Sequence, residues 1–166
     1  MSKENEGSHA AMNRTAVERN SDRELVVTRT FDAPVHIVFE AWSKPELFKR
    51  WWVPESAGLS LLSCDMDVRT GGVYRLVFRH PASDQPMEFF GTYSEVTPHK
   101  RLAWTNEESD QCAVTTVAFE ENAGKTRVIF HELYPTKAAL DEALTGSAQA
   151  LPEQFVQLDE LLAGRS

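Results

Sequence analysis

The chain has 166 residues, 42% of them hydrophobic and 10% aromatic, which is enough for one domain with a real core. Lys and Arg number 17 against 25 Asp and Glu, a net charge of -8 that lacks the basic excess needed by a nucleic-acid binder and disfavours docking on anionic lipid. Two cysteines, Cys64 and Cys112, are too few for a disulfide framework and too far apart for a zinc site, so they read as buried, reduced thiols.

The first segment, residues 1–22, is polar and aperiodic, and is expected to be a mobile tail outside the core. It has no apolar stretch that would serve as a signal, and no run reaches membrane-spanning length, so a cytoplasmic protein is expected. A single domain is expected over 23–166. It opens with "RELVVTRTFD", a β-branched strand ending in a turn signal. The period then changes. Val35, Val38, Phe39 and Trp42 fall at helical spacing behind Pro34, with Asp32 or Ala33 near the cap. Pro45 ends that helix and starts a short second one carrying Leu47, Phe48, Trp51 and Trp52.

Six strands follow, near 58–67, 72–80, 87–97, 101–106, 111–120 and 125–134, separated by turn-rich breaks such as "TGG", "PASDQP" and "ENAGK". Short connections imply an antiparallel meander. The C-terminal stretch is helical, with Leu140, Leu144, Leu151, Phe155, Leu158 and Leu162 on one stripe, and Gly146 and Pro152 as points where it kinks or splits. The fold class is therefore α+β. About seven antiparallel strands are too many to lie flat, and twist curls them around the long C-terminal helix. A curved sheet gripping a helix leaves room for a cavity.

The stretch "DMDVRTGGVYRLVFR" mixes acid, base and paired glycine. A phosphate loop would be followed by a helix, and here a strand follows. Asp67, Arg69, Gly71 and Gly72 thus read as a structural turn, with positive φ at the glycines and the Asp67 and Arg69 side chains pairing locally. Beyond the turn, Tyr74, Leu76 and Phe78 share the inward face. Rings from separate elements (Trp42, Trp51, Tyr74, Phe78, Phe89 and Trp104) are candidates to line a cavity, with plain core packing as the alternative.

The histidines His9, His36, His80, His99 and His131 form no metal-binding spacing, and no Ser or Cys stands in a nucleophile context. No metal, cofactor or catalytic residue is expected. His131, near Glu132 and Tyr134 at the end of the last strand, is included as a cavity candidate; adjacent strand residues point to opposite faces, so His131 and Glu132 do not face one ligand together.

Taken in order, "RTFDAPVHIVFEAWSKPELFKRWWVP", "DVRTGGVYR", "GTYSEVTPHKRLAWT" and "KTRVIF" resemble the bacterial relatives of the C-terminal domain of the heat-shock-chaperone ATPase activator. These belong to the START-like, Bet v 1-like superfamily, also called SRPBCC. The resemblance covers about Arg23 to Ala163. It implies a helix-grip fold whose cavity takes an apolar small molecule. One departure concerns the last helix, where relatives often carry Gly-Trp and this chain has Glu153 and Gln154; either Phe155 supplies the aromatic group there or the cavity mouth differs. The leading functional expectation is a binder of an apolar or aromatic small molecule. The alternatives are a chaperone-associated interaction module and a cyclase- or hydrolase-like enzyme using the same cavity.

Overall fold

The computed structural model describes residues 15–107 and 113–164. Eight antiparallel strands form one sheet: β1 (Ala16–Arg19), β2 (Glu24–Phe31), β3 (Ser60–Met66), β4 (Val73–Arg79), β5 (Met87–Thr97), β6 (Arg101–Thr105), β7 (Val114–Asn122) and β8 (Lys125–Leu133). Their spatial order is β1-β2-β8-β7-β6-β5-β4-β3. The meander β3 to β8 is therefore closed by β2, which pairs with β8 from Glu24↔Leu133 to Phe31↔Thr126. Helices α1 (Val35–Ser43) and α2 (Pro45–Trp51) carry the chain from β2 to the opposite edge at β3. Helices α3 (Lys137–Leu144) and α4 (Leu151–Ala163) close the chain. This is the helix-grip α+β arrangement, a curved sheet wrapped on its C-terminal helix.

Two boundaries differ from the sequence expectation. Of the expected tail, residues 1–14 lie outside the described residues, but 15–22 belong to the fold. Ala16–Arg19 pairs with Leu25–Thr28 as an edge strand, and Thr15 Oγ1 accepts a 3.0 Å hydrogen bond from Arg29. The strand escapes sequence reading because an exposed edge strand needs no apolar alternation; every residue of Ala16–Arg19 is exposed. The C-terminal helical stretch is divided at Gly146, where a short 3-10 turn (Ser147–Ala150) separates α3 from α4. Pro152 stands in the first turn of α4, the position a helix tolerates.

Helix α1 begins one residue later than expected, because Pro34 is extended (ψ 156°) and serves as the N-cap. A proline has no side-chain acceptor to offer the first turn. The Glu121 carboxylate supplies one from the end of β7, accepting the Val35 N–H at 2.7 Å.

Residues Asp67–Gly72 form the turn between β3 and β4. Arg69 pairs with Asp67 at 2.8 Å. Of the two glycines only Gly71 has positive φ, at 89°. Gly72 is required for a different reason: a Cβ there would sit 1.9 Å from the Asp67 carbonyl oxygen. The turn is also sewn to β5, since Gly71 N–H donates to the Tyr93 carbonyl and Tyr93 N–H to the Gly72 carbonyl, both at 2.8 Å.

The core lies between the inner sheet face and the helices. Leu25, Val27 and Phe31 of β2, Val117 and Phe119 of β7 and Val128 and Phe130 of β8 meet Trp42, Trp51, Phe155 and Leu158, all buried. One inward position of β2 is a base. Arg29, only 2% exposed, lies between Val27 and Phe31 in the alternation. Its guanidinium meets Asp159 of α4 at 3.0 Å and lies 5.6 Å from the Phe31 ring centroid. Cys64 is half-buried rather than buried, with its thiol pushed up by burial and then by the Asp65 charge. Cys112 lies outside the described residues.

Candidate functional site

A cavity of about 700 Å³ opens between the β4–β8 part of the inner sheet face and the helices. Its sheet wall includes Tyr74, Leu76 and Phe78 of β4, Phe89 and Tyr93 of β5, Trp104 of β6 and Phe130 and Glu132 of β8. The helical side contributes Trp42, Phe48, Ala139, Glu142, Leu151 and Gln154, and the segment after α2 adds Trp52, Val53, Pro54 and Ala57. The strand alternation explains this wall. On β4, Tyr74, Leu76 and Phe78 point inward while Val73, Arg75 and Arg79 are exposed.

The sequence-derived candidates divide into two groups. Trp42, Tyr74, Phe78, Phe89 and Trp104 line the cavity. Trp51, His131 and Phe155 do not, and each is a correction with its own cause. Trp51 is fully buried beneath α1, its indole N–H donating to the Ala41 carbonyl at 2.8 Å; the next residue, Trp52, faces the cavity instead. Phe155 is fully buried on the core side of α4, with ring centroids 5.9 Å from Phe31 and 6.1 Å from Phe130. His131 is on the outer sheet face. Its Nε2 lies 3.0 Å from Glu24 Oε2, and this hydrogen bond, followed by one from Ser21, holds the Glu24 carboxyl below the usual carboxylate range.

The residues that sequence reading did not place include Phe48, Trp52 and Phe130 and, more tellingly, the polar ones. Glu132 faces the cavity because of its register. Tyr93, Trp104, Thr115 and Glu132 form one cross-strand row over β5, β6, β7 and β8, and the row continues to buried Leu25 on β2. The inward rings of Tyr93 and Trp104 therefore fix an inward Glu132. The alternation Val128, Phe130, Glu132 already contains this signal.

Around Glu132 the donors are arranged in series. Tyr134 Oη donates to one carboxylate oxygen at 2.7 Å and Thr115 Oγ1 to the other at 2.8 Å. Asn106 Nδ2 donates to Thr115 Oγ1 at 3.0 Å, and Tyr74 Oη donates to Asn106 Oδ1 at 3.2 Å and to the Thr105 carbonyl at 2.9 Å. Burial pushes the Tyr134 phenol up, and the adjacent Glu132 charge pushes it further, so it stays a protonated donor. Burial likewise raises the Tyr93 phenol. Tyr134, Thr115, Asn106 and Tyr74 are thus linked around Glu132, while Glu142 and Gln154 are the polar residues of the helical side.

Glu153 and Gln154 act with Gln157 to hold the segment after α2. Gln154 donates to the Trp52 carbonyl. Gln157 donates to the Trp51 and Val53 carbonyls at 2.9 and 2.8 Å and accepts the Glu55 N–H at 2.9 Å. Glu153 accepts the Ser56 N–H at 3.0 Å and the Ser56 hydroxyl. Backbone groups that no strand or helix pairs are satisfied in this way.

Among the described residues no group of His, Cys, Asp and Glu is arranged to hold a metal ion, and no helix is long and apolar enough to cross a membrane. The family model described as "Activator of Hsp90 ATPase homolog 1-like protein" matches residues 32–163. No curated protein matches the chain. Among solved structures, a protein of Nitrosomonas europaea is similar at 25% identity and a TM-score of 0.78, over 89% of this chain and 98% of its own. A protein of Staphylococcus epidermidis is also 25% identical, with a TM-score of 0.75 over 91% and 95% of the two chains. A Rhodobacter sphaeroides protein shares the fold at 22% identity, TM-score 0.82, over 92% of this chain and 99% of its own.

Proposed function

This chain belongs to the Activator of Hsp90 ATPase homolog 1-like family, and from that premise we propose that it is a small-molecule-binding protein, holding a mainly apolar or aromatic ligand between the curved sheet and the C-terminal helices. One observation carries the reading: a cavity of about 700 Å³ whose wall is mostly aromatic and aliphatic, with few polar groups. Ligand pockets are typically ~300–1,000 Å³ and have this composition. Close packing is the rule in protein interiors, so space of this size lined by Trp42, Tyr74, Phe78 and Trp104 is left unfilled by the described residues.

The energetics are adequate for a ligand of modest size. Burying ~200 Å² of apolar ligand surface contributes roughly 5 kcal/mol at about 25 cal/mol per Å². Contact with the wall on the protein side adds to this, and the association cost subtracts, leaving micromolar affinity as the expectation. Trp42, Trp52 and Trp104 border the space, so binding should change intrinsic fluorescence. The test is a titration with neutral aromatic compounds, followed by fluorescence and by amide shift mapping. Shifts are expected on Leu76, Phe78, Phe89 and Trp104. Shifts confined to the outer sheet face, or none at any concentration, would remove the reading and favour a protein partner on the outer surface.

A further inference from the structure

We propose that the ligand is an aromatic or apolar carbonyl compound and that the Tyr93 hydroxyl donates a hydrogen bond to its carbonyl oxygen; this rests on the ligand-binding reading above.

The first observation is how the phenols are used. The chain has three tyrosines, and all of them, Tyr74, Tyr93 and Tyr134, line the cavity. Tyr74 Oη donates to the Thr105 carbonyl at 2.9 Å and Tyr134 Oη to Glu132 at 2.7 Å. Tyr93 Oη has no hydrogen-bond partner among the described residues, although the residue is only 4% exposed. A buried hydroxyl without a partner in the chain is uncommon and costly, so its partner is expected among the contents of the cavity. Water can meet such a donor in the free protein, and a ligand that displaces water must replace that bond or lose affinity.

The second observation is that this donor is fixed in place. The Tyr93 N–H and C=O are held by the Gly72 carbonyl and the Gly71 N–H, both at 2.8 Å. Its ring has Tyr74 and Trp104 as neighbours, with centroids 5.7 and 6.3 Å away. The register of β5 against β6 shifts immediately afterwards, stepping from Tyr93↔Trp104 to Glu95↔Ala103. Irregularities of this kind re-aim side chains beside sites. Burial, followed by Cys64 and then Asp67, pushes the Tyr93 phenol up, so it keeps its proton. A donor held this way loses little freedom when a ligand binds.

The third observation is what surrounds the hydroxyl, because it selects the acceptor. The neighbouring inward positions are Tyr74 on β4, Met66 on β3 and Trp104 on β6, all on the cavity wall. A ligand alcohol would bring a donor of its own to be met on this largely apolar surface. A ligand carboxylate would bring a charge, and one neutral phenol does not offset the desolvation of a charge. A carbonyl brings an acceptor alone. The ring or chain that carries it packs on the aromatic wall.

The test uses two probes of one shape, 2-acetylnaphthalene and 2-isopropenylnaphthalene, which carry oxygen or CH2 at the same position. Affinity and location are both read by titration with amide shift mapping. Tyr93→Phe, which removes only the hydroxyl, should lower the ketone-to-alkene affinity ratio about tenfold, the effect of one hydrogen bond whose donor the alkene leaves unmet. A purely structural role for the hydroxyl would move both affinities together and leave the ratio alone. The second readout is infrared difference spectroscopy. The carbonyl stretch of the ketone bound to the unaltered protein should lie below its frequency in an apolar solvent, and Tyr93→Phe should return it upward. The first of these spectra needs no variant, so it stands if Tyr93→Phe fails to fold. A ratio that Tyr93→Phe leaves unchanged, a bound carbonyl that vibrates as in apolar solvent, or a lowered stretch that persists in Tyr93→Phe overturns this inference and leaves the ligand-binding reading intact. If neither probe shifts a cavity amide, both fall together.

Discussion

Replacing Gln157 with alanine should open the segment between α2 and β3 without unfolding the sheet. The side chain makes three hydrogen bonds to that segment: to the carbonyls of Trp51 and Val53 and from the amide of Glu55. At a net value of about 1 kcal/mol each, full loss would cost roughly 3 kcal/mol. The Glu55 amide is near the surface and regains water on opening, which leaves about 1–2 kcal/mol as the expected cost. For a domain of this size that corresponds to a fall in Tm of about 2–8 °C. The sharper readout is local. Amide exchange at Glu55 should accelerate about tenfold, since 1.4 kcal/mol is a factor of ten, with a smaller gain at Ser56, which Glu153 still holds. Amides of the central pair β7–β8 should change only by the global destabilisation. Because Trp52, Val53, Pro54 and Ala57 wall the cavity, the on-rate for 1-naphthylmethanol should also rise. Unchanged exchange at Glu55, or the same acceleration at Glu55 and throughout β8, would refute the view that α4 latches this segment.

Gly72→Ala should destabilise by about 1–3 kcal/mol in a urea melt, as overpacking does, because the new Cβ would collide with the Asp67 carbonyl. Gly71→Ala, which meets only the cost of positive φ, should lose about 1–2 kcal/mol, and a larger loss at Gly71 than at Gly72 would contradict the close-approach argument. Deleting residues 1–20 removes β1 and the Thr15 acceptor of Arg29, so the melting temperature should drop by several degrees; an unchanged melt would show that the edge strand adds nothing. The Asp141 carboxyl is held below the usual range, first by its hydrogen bond from Arg19 and then by Lys137. A depressed carboxyl stabilises above its unfolded pKa, and that contribution is lost as pH falls through the folded value. Arg19→Ala should therefore raise the Asp141 midpoint in a carboxyl NMR titration, and an unmoved midpoint would assign the depression to Lys137 alone.

The elements were legible because their signals are local. The proline punctuation at Pro34 and Pro45, the β-branched alternation and the turn dipeptides all act within a few residues, and the six meander strands stand within one or two residues of expectation, apart from the edge of β7, which borders residues outside the description. The site was legible only where a large ring coincided with an inward position, as at Tyr74, Phe78, Phe89 and Trp104. Three failures have distinct causes. Trp51 and Trp52 are neighbours, and no periodicity over a seven-residue helix decides which indole meets the core. Phe155 lies on the same apolar stripe as Leu151, yet Leu151 lines the cavity and Phe155 the core, because the stripe of α4 spans both. His131 has the residue type of a site, but the alternation through Val128 and Phe130 points Glu132 inward, and register rather than residue type decides which of the two meets the cavity.

The distribution of interactions along α4 explains how a domain of this size keeps a space open. Helix α4 is tied to the sheet through Phe155 against Phe31 and Phe130, and through Asp159 against Arg29. A buried guanidinium left without its carboxylate is costly, so the helix cannot slide toward the β4–β5 side to fill the gap. On that side the sheet diverges from the helices by its own curvature, and the distance is spanned by the segment 52–57, hung from α4 by amide and carboxylate side chains. Collapse would bury more apolar wall but would break the Arg29 pair and strip the Glu132 donors of their geometry. The same charges that are unfavourable for a filled core therefore hold the helix away from the wall, and the cavity follows from where α4 is anchored.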